Sequence, residues 1–295
     1  MPAETLQTIE NHLERIESLG SVVSTMKSLA AVNIRHFEEA AAAADRYYEN
    51  IRLALQVLMM NKPPEVQFSE SYSSHHILVA IGSDQGMVGQ FNETVAQETE
   101  KLLRELKHDY PESTPHLYNM GYRIGASLHS YDLSSEEEIP MAGTLNEAVD
   151  VVQDVLELIA SKSDRIMPVR LVNNRPQGGA SYITESSRVL PLDRKILEQL
   201  SQRPWKGKSF PMTRYSWRSL FESLSREYLF ISLYYAVVQS LASENAARLA
   251  AMQAAEKNID EKKEEVRTLF NQKRQSSITE ELLDIVGGFE ALQRS

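Results

Sequence analysis

The sequence predicts an α/β fold with long helices: an antiparallel coiled coil of the N- and C-terminal helices plus a central Rossmann-like α/β domain. Three observations predict it. The stretch from Ser243 to Leu292 has no proline, and no glycine before Gly287. A second long helical pattern, also free of proline, runs from Thr5 to about Met60. Between them, short β-branched runs alternate with helical stretches, the signature of a partly parallel sheet covered by helices. Two long terminal helices around a compact segment point to a mechanical or interaction protein rather than a conventional enzyme.

The first helix carries an apolar seam in 3-4 alternation, the spacing that keeps one face toward a partner helix. From Leu6 it passes through Ile9, Leu13, Ile16, Gly20, Val23, Lys27, Ala30, Ile34 and Phe37, then Ala41, Ala44, Tyr48, Ile51, Leu55 and Leu58. Only Gly20 and Lys27 interrupt it. At 1.5 Å per residue such a helix extends about 80 Å, and Pro63 and Pro64 stop it. The C-terminal helix is expected from near Ser219. It is apolar through Leu229, Phe230, Leu233, Val237 and Leu241, then alanine-rich from Ala246 to Ala255. A second alanine patch, Ala40 to Ala44, is expected to face it, because small side chains let helix axes approach closely. Ile278, Leu282, Ile285, Phe289 and Leu292 close the helix with another apolar stripe.

In the middle segment, His75 to Ile81 reads as a buried strand ahead of Gly82, and a helix is expected from Asn92 to His108. A strand at His116 to Met120, a helix from Leu145 to Ser161, and strands at Val169 to Asn173 and Tyr182 to Leu190 follow. Asp193 to Trp217, rich in Arg, Lys, Pro and Ser, reads as a connector. The expected division is residues 1–62, 63–217 and 218–295.

Composition narrows the function classes. The 295 residues are 42% hydrophobic and 24% charged, ordinary for a globular protein. A net charge of -10 argues against a nucleic-acid partner, which needs a basic surface. Cysteine is absent, which removes disulfides, thiolate metal sites and cysteine nucleophiles, and fits a reducing compartment. No apolar run approaches the roughly 20 residues that cross a bilayer. The N-terminus MPAETLQTIENHLERIE is charged throughout and is not a secretory signal. A soluble, cytoplasmic protein is expected.

Three features suggest an enzyme, and each has a plainer reading. SDQGMVGQFN (Ser83 to Asn92) follows a strand and precedes a helix, but Gly86 and Gly89 give only G-x-x-G, so a tight turn is expected rather than a phosphate cradle. Gly207-Lys208-Ser209 ends like a Walker A loop, yet Gln202 stands where its first glycine belongs and prolines flank it. The seven histidines form no H-E-x-x-H, and His75 and His76 point to opposite faces of a strand. Glu136-Glu137-Glu138 reads as a solvated loop. No nucleophile–base set stands at a recognisable spacing, so neither a catalytic residue nor a cofactor or metal is expected. The end of the last helix is different. Arg274, Gln275, Ser276, Ser277 and Thr279 precede Leu282, Leu283, Ile285, Val286 and Phe289, more apolar surface than one partner helix covers. With Gly20 to Leu29 expected to cover one side, the remainder marks a partner site.

At these residues the chain resembles the gamma subunit, the central stalk, of the F-type rotary ATP synthases. NQKRQSSITEELLDIVGG (Asn271 to Gly288) is similar to the family's C-terminal signature N-x-x-R-Q-x-x-I-T-x-E-L-x-E-I-V-x-G. LASENAARLAAMQAAEKN (Leu241 to Asn258) resembles the segment upstream on the same helix. SDQGMVGQFN resembles the S/T-D-x-G-L-C-G-x-x-N turn of the middle domain, and STMKSLAAVNIR (Ser24 to Arg35) the segment around the family methionine, here Met26. The four motifs stand in family order over almost the whole chain.

The resemblance implies a rotor: terminal helices inside a ring of alternating alpha and beta subunits, and a middle domain toward the membrane against the epsilon subunit and the c-subunit ring. ATP is made or hydrolysed on beta, and ion flow turns the shaft. Membrane contact arises only through the complex, on the cytoplasmic face of a bacterial inner membrane. By position, Met26, Arg248, Arg274, Gln275, Thr279 and Glu281 meet alpha/beta loops, with polar groups of the last helix in a catch loop and apolar tip residues in a greasy bearing. Departures mark a divergent bacterial member. Ser21-Val22-Val23-Ser24 replaces the family's K-I-T-K, Lys27 stands at a site often acidic, and Met87 and Val88 replace leucine and cysteine. If the family lysines face acidic beta loops, that contact is missing or relocated here. A free-standing coiled-coil adaptor explains the helices but not the C-terminal signature; a nucleotide-binding enzyme requires the G-x-x-G turn to bind phosphate.

Overall fold

A computed structural model describes residues 5–63, 66, 75–162, 167–179, 181–205, 207–209, 211–212 and 214–293; the side chains of 284 and 287–293 are outside the described set. The elements run α1 (Leu6–Met60), β1 (His75–Ile81), α2 (Phe91–Asp109), β2 (Thr114–Met120), α3 (Tyr122–His129), β3 (Glu137–Ile139), α4 (Leu145–Ser161), β4 (Val169–Gly178), β5 (Ser181–Leu190), α5 (Arg194–Gln202) and α6 (Trp217–Gln293). The expected class, long terminal helices with a central mixed sheet, holds. Contacts divide the chain into two compact units, Ala30–Arg248 and Met1–Leu29 with Leu249–Ser295.

The larger unit is built on a sheet of order β3-β2-β1-β4-β5. β1 runs parallel to β2 and β4, β3 is parallel to β2, and β4 and β5 form an antiparallel pair. β1 is the central strand, and its HHILVAI run is apolar on both faces because helices cover both. Its side chains alternate. Leu78 and Ala80 pack with Val95, Leu102 and Leu106 of α2 and Ile124 and Leu128 of α3. Ile77, Val79 and Ile81 meet Val152 and Val155 of α4 and Leu233, Val237 and Leu241 of α6. His76 is buried and His75 exposed, the opposite facing that the strand period requires.

Four readings need correction. Asp193 to Trp217 is not merely a connector, because α5 buries Leu197 and Leu200 against Leu58, Met59, Leu55 and Ile51 of α1. Glu136 to Glu138 is not a solvated loop. Glu137–Ile139 pairs with Tyr118–Met120, and the Glu136 carboxylate holds the entry to the strand. It accepts from Tyr118 Oη at 3.0 Å and Lys162 Nζ at 3.1 Å, and lies 2.5 Å from His116 Nδ1. The alanine patches do not face each other: Ala40 and Ala41 pack on the cluster whose α6 members run from Leu229 to Ala242, Asn245 lies beside Asn33, and Ala247 packs on Val88 and Phe91. The α3 helix had no counterpart in the pattern, its apolar face being only Ile124 and Leu128.

In the smaller unit α1 and α6 run antiparallel, with Gly20 beside Ile259 and Lys27 beside Glu256. Ile9, Ile16 and Val266 form its core with Leu13, Ile259 and Phe270. Both faults in the seam have a local explanation. A methyl group at Gly20 would already touch Ile259 at 3.5 Å, so a larger side chain there would meet it. Lys27 places Nζ 2.7 and 2.6 Å from the two Glu256 oxygens, so its charge is paired where it crosses the seam. Lys263 and Glu17 form a second cross-pair at 2.8 Å. This register seats the α1 segment Gly20–Leu29 against α6 around Glu256 and Ile259, and not against the closing stripe as expected. The core ends at Phe270 because α1 begins at Leu6.

Two outcomes follow. Gly121 has φ +102°, and a Cβ there would lie 2.7 Å from the Ser83 carbonyl carbon and oxygen, both backbone. Gly121→Ala should cost roughly 2–4 kcal/mol of unfolding free energy in urea titration; an unchanged midpoint would contradict this packing. The Glu136 carboxyl is held down to about 2, chiefly by His116, then by Lys162 and Tyr118. Its folded value lies below the unfolded one. The stabilisation is therefore complete above about pH 4.5 and lost as pH falls toward 2. Because the group is partly exposed, it amounts to at most about 1 kcal/mol. Glu136→Gln should remove that much at pH 7 and flatten the acid limb of the stability curve.

Candidate functional site

Beyond Phe270, α6 continues without a partner among the described residues: every described side chain from 271 to 286 is exposed. Apolar residues are included, with Ile278 47%, Leu282 58%, Leu283 65%, Ile285 62% and Val286 54% exposed. Helical spacing sorts this end into two faces. Gln275, Thr279, Leu282 and Val286 follow one another at 4-3-4; Arg274, Ile278, Glu281 and Ile285 do the same one step earlier. On the first face the polar pair precedes the apolar pair, whereas on the second Arg274 and Glu281 alternate with Ile278 and Ile285. The Thr279 hydroxyl donates to the Gln275 carbonyl at 2.8 Å, leaving its oxygen and the Gln275 amide to outside partners. Phe289 and Leu292, counted in the sequence stripe, have side chains outside the described set.

The other two sequence-derived residues lie elsewhere. Met26 is half-buried on α1 next to Lys27. Lys27 is level with Glu256, so Met26 stands roughly 30 Å along the helix from Gln275. Arg248 belongs to the larger unit and is only 9% exposed. Its Nη2 donates to Glu244 Oε1 at 2.7 Å, while Nε has no partner. Burial pushes the Glu244 carboxyl above its ordinary value, and Arg248 opposes that. Arg274, Gln275, Thr279 and Glu281 therefore form one exposed group, from which Met26 and Arg248 are separate. Sequence reasoning missed Glu244 and Glu256. The i,i+4 spacing of Glu244 and Arg248 was a usable signal, whereas nothing local announces the pairing of Lys27 with Glu256.

The Ser83–Asn92 turn is tied to itself. Asn92 Oδ1 accepts from the Ser83 amide at 2.9 Å, and Asn92 Nδ2 donates to Ser83 Oγ at 2.9 Å. Asp84 accepts the amides of Tyr122 at 2.9 Å and Met141 at 3.0 Å, clamping α3 and the segment after β3. Met87 and Gly89 take φ of 60° and 58°, the left-handed region in which glycine is unstrained. Gly207-Lys208-Ser209 follows α5 rather than a strand, and the Ser209 carbonyl accepts from Trp205 Nε1 at 2.9 Å.

The arrangement of long helices and central sheet agrees with the comparisons. A family model described as ATP synthase matches residues 5–292. An ATP synthase gamma chain of Christiangramia forsetii is 26% identical over 293 residues, covering 97% of this chain and 98% of the relative. The chain belongs to the ATP synthase gamma family. The gamma chain of Clostridium kluyveri is 27% identical, covering 99% of this chain and all of the relative (100%). Among solved structures, a chain of the Euglena gracilis mitochondrial ATP synthase (OSCP/F1/c-ring) superposes with a TM-score of 0.65 at 18% identity, covering 97% of this chain and 94% of its own length. A Tetrahymena thermophila mitochondrial central stalk/c-ring chain gives 0.56 at 20% identity, covering 79% and 99%. These likenesses agree in fold with the long-helix, central-sheet architecture.

Proposed function

We propose that the exposed end of α6 seats in the ring of alpha and beta subunits, and that this contact transmits rotation. As a gamma-family member the chain is the central rotor shaft of an F-type ATP synthase, coupling ion flow to ATP synthesis or hydrolysis. The observation that carries the proposal is the run of exposed side chains from 271 to 286, polar first and apolar after. An apolar helix end of this kind needs cover from a partner. Gln275, Thr279, Arg274 and Glu281 are assigned to a catch loop of the ring, where an amide, a hydroxyl and two charges offer directional bonds. Ile278, Leu282, Ile285 and Val286 are assigned to an apolar bearing, where non-directional contacts let the helix turn. Met26 is accessible to alpha/beta loops further down. Arg248 is closed in its pair with Glu244, which fits a role in holding α6 in place.

On this reading the chain is non-catalytic and the nucleotide sites lie on beta. An asymmetric shaft gives three otherwise equivalent sites different contacts, and differential contact is what shifts each between states. The sheet-bearing part is assigned to the epsilon subunit and c-subunit ring, on the cytoplasmic side of a bacterial plasma membrane. No helix among the described residues is long and apolar enough to cross a membrane, so membrane attachment is through the complex.

The double variant Gln275→Ala/Thr279→Ala tests the catch. Each side chain's hydrogen bond is worth about 1 kcal/mol, so their joint loss should reduce ATP-driven ion pumping roughly thirtyfold relative to ATP hydrolysis, or reduce assembly to a similar degree. Unchanged pumping in membrane vesicles carrying the double variant would remove the assignment.

A further inference from the structure

The larger unit contains a cavity of about 420 Å³ where the last turns of α1, the segment 203–216 and the first turns of α6 meet. Its lining includes Leu53 and Val57 of α1, Trp217 and Leu220 of α6, and Trp205 and Met212 between the helices; among the described residues no charged side chain lines it. Both tryptophans of the chain are there, each held by a backbone acceptor. Trp217 Nε1 donates to the Leu58 carbonyl at 2.8 Å, and its ring stacks on Phe221 at 5.1 Å. Trp205 Nε1 donates to the Ser209 carbonyl at 2.9 Å, and a Cβ at Gly207 would lie 2.5 Å from that same nitrogen. Gly207-Lys208-Ser209 is therefore the turn that holds the Trp205 ring. With both indole N–H groups engaged, the lining offers a ligand mostly apolar surface, in a volume typical of small-molecule sites. The surrounding segment has the opposite character. From Gln199 to Trp217 the sequence has Arg203, Lys206, Lys208 and Arg214 and no acid, in a chain of net charge -10. Arg203, Lys208 and Arg214 are exposed. They form no ion pair among the described residues, whereas Arg194 and Arg218 on the flanking helices pair with Glu198 and Glu222. Each stands next to the cavity in the chain: Arg203 is two residues before Trp205, Lys208 adjoins Ser209, and Arg214 adjoins Tyr215.

We propose that this cavity binds a phosphate-headed amphiphile with a single hydrocarbon chain, the chain against the two tryptophans and the phosphate on Arg203, Lys208 and Arg214. A hydrocarbon chain gains by leaving water for such a lining, whereas a polar ligand would lose hydrogen bonds that the lining does not replace. Three unpaired cations suit a phosphate, which carries up to two charges and three acceptor oxygens, better than a single carboxylate. The guanidinium groups add paired, directional bonds to it. The site is separate from the exposed end of α6, and it does not need the rotor reading, since binding is read on the isolated chain.

Because Trp205 and Trp217 are the only tryptophans, the intrinsic fluorescence of the full chain reports on the cavity directly. Dodecyl phosphate, titrated below its micelle concentration, should give a saturable change in that fluorescence. Dodecyl maltoside, with the same chain and no charge, should bind at least about tenfold more weakly, and inorganic phosphate should give no change. Ala54 also lines the cavity, and Ala54→Phe should weaken dodecyl phosphate at least about tenfold by filling the space. The triple variant Arg203→Gln/Lys208→Gln/Arg214→Gln should bring dodecyl phosphate down to the affinity of the maltoside. It alters only exposed, unpaired side chains, so it carries the test even if circular dichroism shows Ala54→Phe to be unfolded. No saturable change, equal affinity for phosphate and maltoside, or parent-like binding by the triple variant overturns the proposal. A response to vesicles of anionic diacyl phospholipid but not to dodecyl phosphate makes the segment a membrane-facing patch and overturns it too. So does a chain that ignores dodecyl phosphate but whose triple variant no longer joins the c-subunit ring, because the cavity is then a protein interface.

Discussion

The pairing of α1 with α6 along a single apolar seam is the constraint on which the rest of the chain depends. A helix as long as α6 is held only where one stripe is covered, and α1 supplies that cover from both compact units. In the larger one Ala44, Ile51 and Leu55 meet Ile231 and its tyrosine neighbours, and Tyr48 and Tyr228 share a hydroxyl hydrogen bond of 2.7 Å. In the smaller one Ile9 and Ile16 meet Val266. Residues that break the seam are tolerated only with a local remedy, as at Gly20 and Lys27. Where α1 runs out, α6 continues, and its uncovered end is the candidate site.

The strand order places the crevice of the sheet beneath α6. In parallel sheets, ligands bind beyond the carboxyl ends of strands where the strand order reverses. With order β3-β2-β1-β4-β5, that point lies between β1 and β4. Here α6 occupies it. Ser240 Oγ lies 3.5 Å from the Ile81 carbonyl, and Ala247 packs on Val88 and Phe91 of the glycine-bearing turn. Ser243, Glu244 and Asn245 are buried in the same stretch. The SENAAR segment and the SDQGMVGQFN turn therefore belong to one packing arrangement, which binds the central sheet to the long helix.

Much of this was legible in the sequence because it rests on period. The 3-4 seam named every buried apolar residue of α1 from Ile9 to Leu58, though not the buried Gln56 or Met59, and the β-branched run named β1. α4 was legible because Thr144 caps it and its apolar positions recur every three or four residues. Short elements were not. α3 has one turn-spaced apolar pair, and β3 is a three-residue edge of glutamates whose pairing comes from Tyr118–Met120. α5 hides among prolines and charges and is fixed by two leucines. Register was also invisible: the same stripes allow α1 to cover several stretches of α6, and only packing around Gly20 and Lys27 selects one. For the site, the apolar surface of Leu282, Leu283, Ile285 and Val286 was legible as more than one partner helix covers, and all four are exposed. The closure of Arg248 on Glu244 was not legible, because burial belongs to the tertiary structure.

The most direct test of the account is the composition of the complex formed when the chain is co-expressed with alpha and beta subunits of its own genome. Sizing, subunit stoichiometry and ATPase activity would be read on the same preparation. The account predicts one copy of this chain for every three alpha/beta pairs, with ATP hydrolysis that depends on its presence. A chain that stays separate, under conditions where an established gamma subunit assembles, would contradict it.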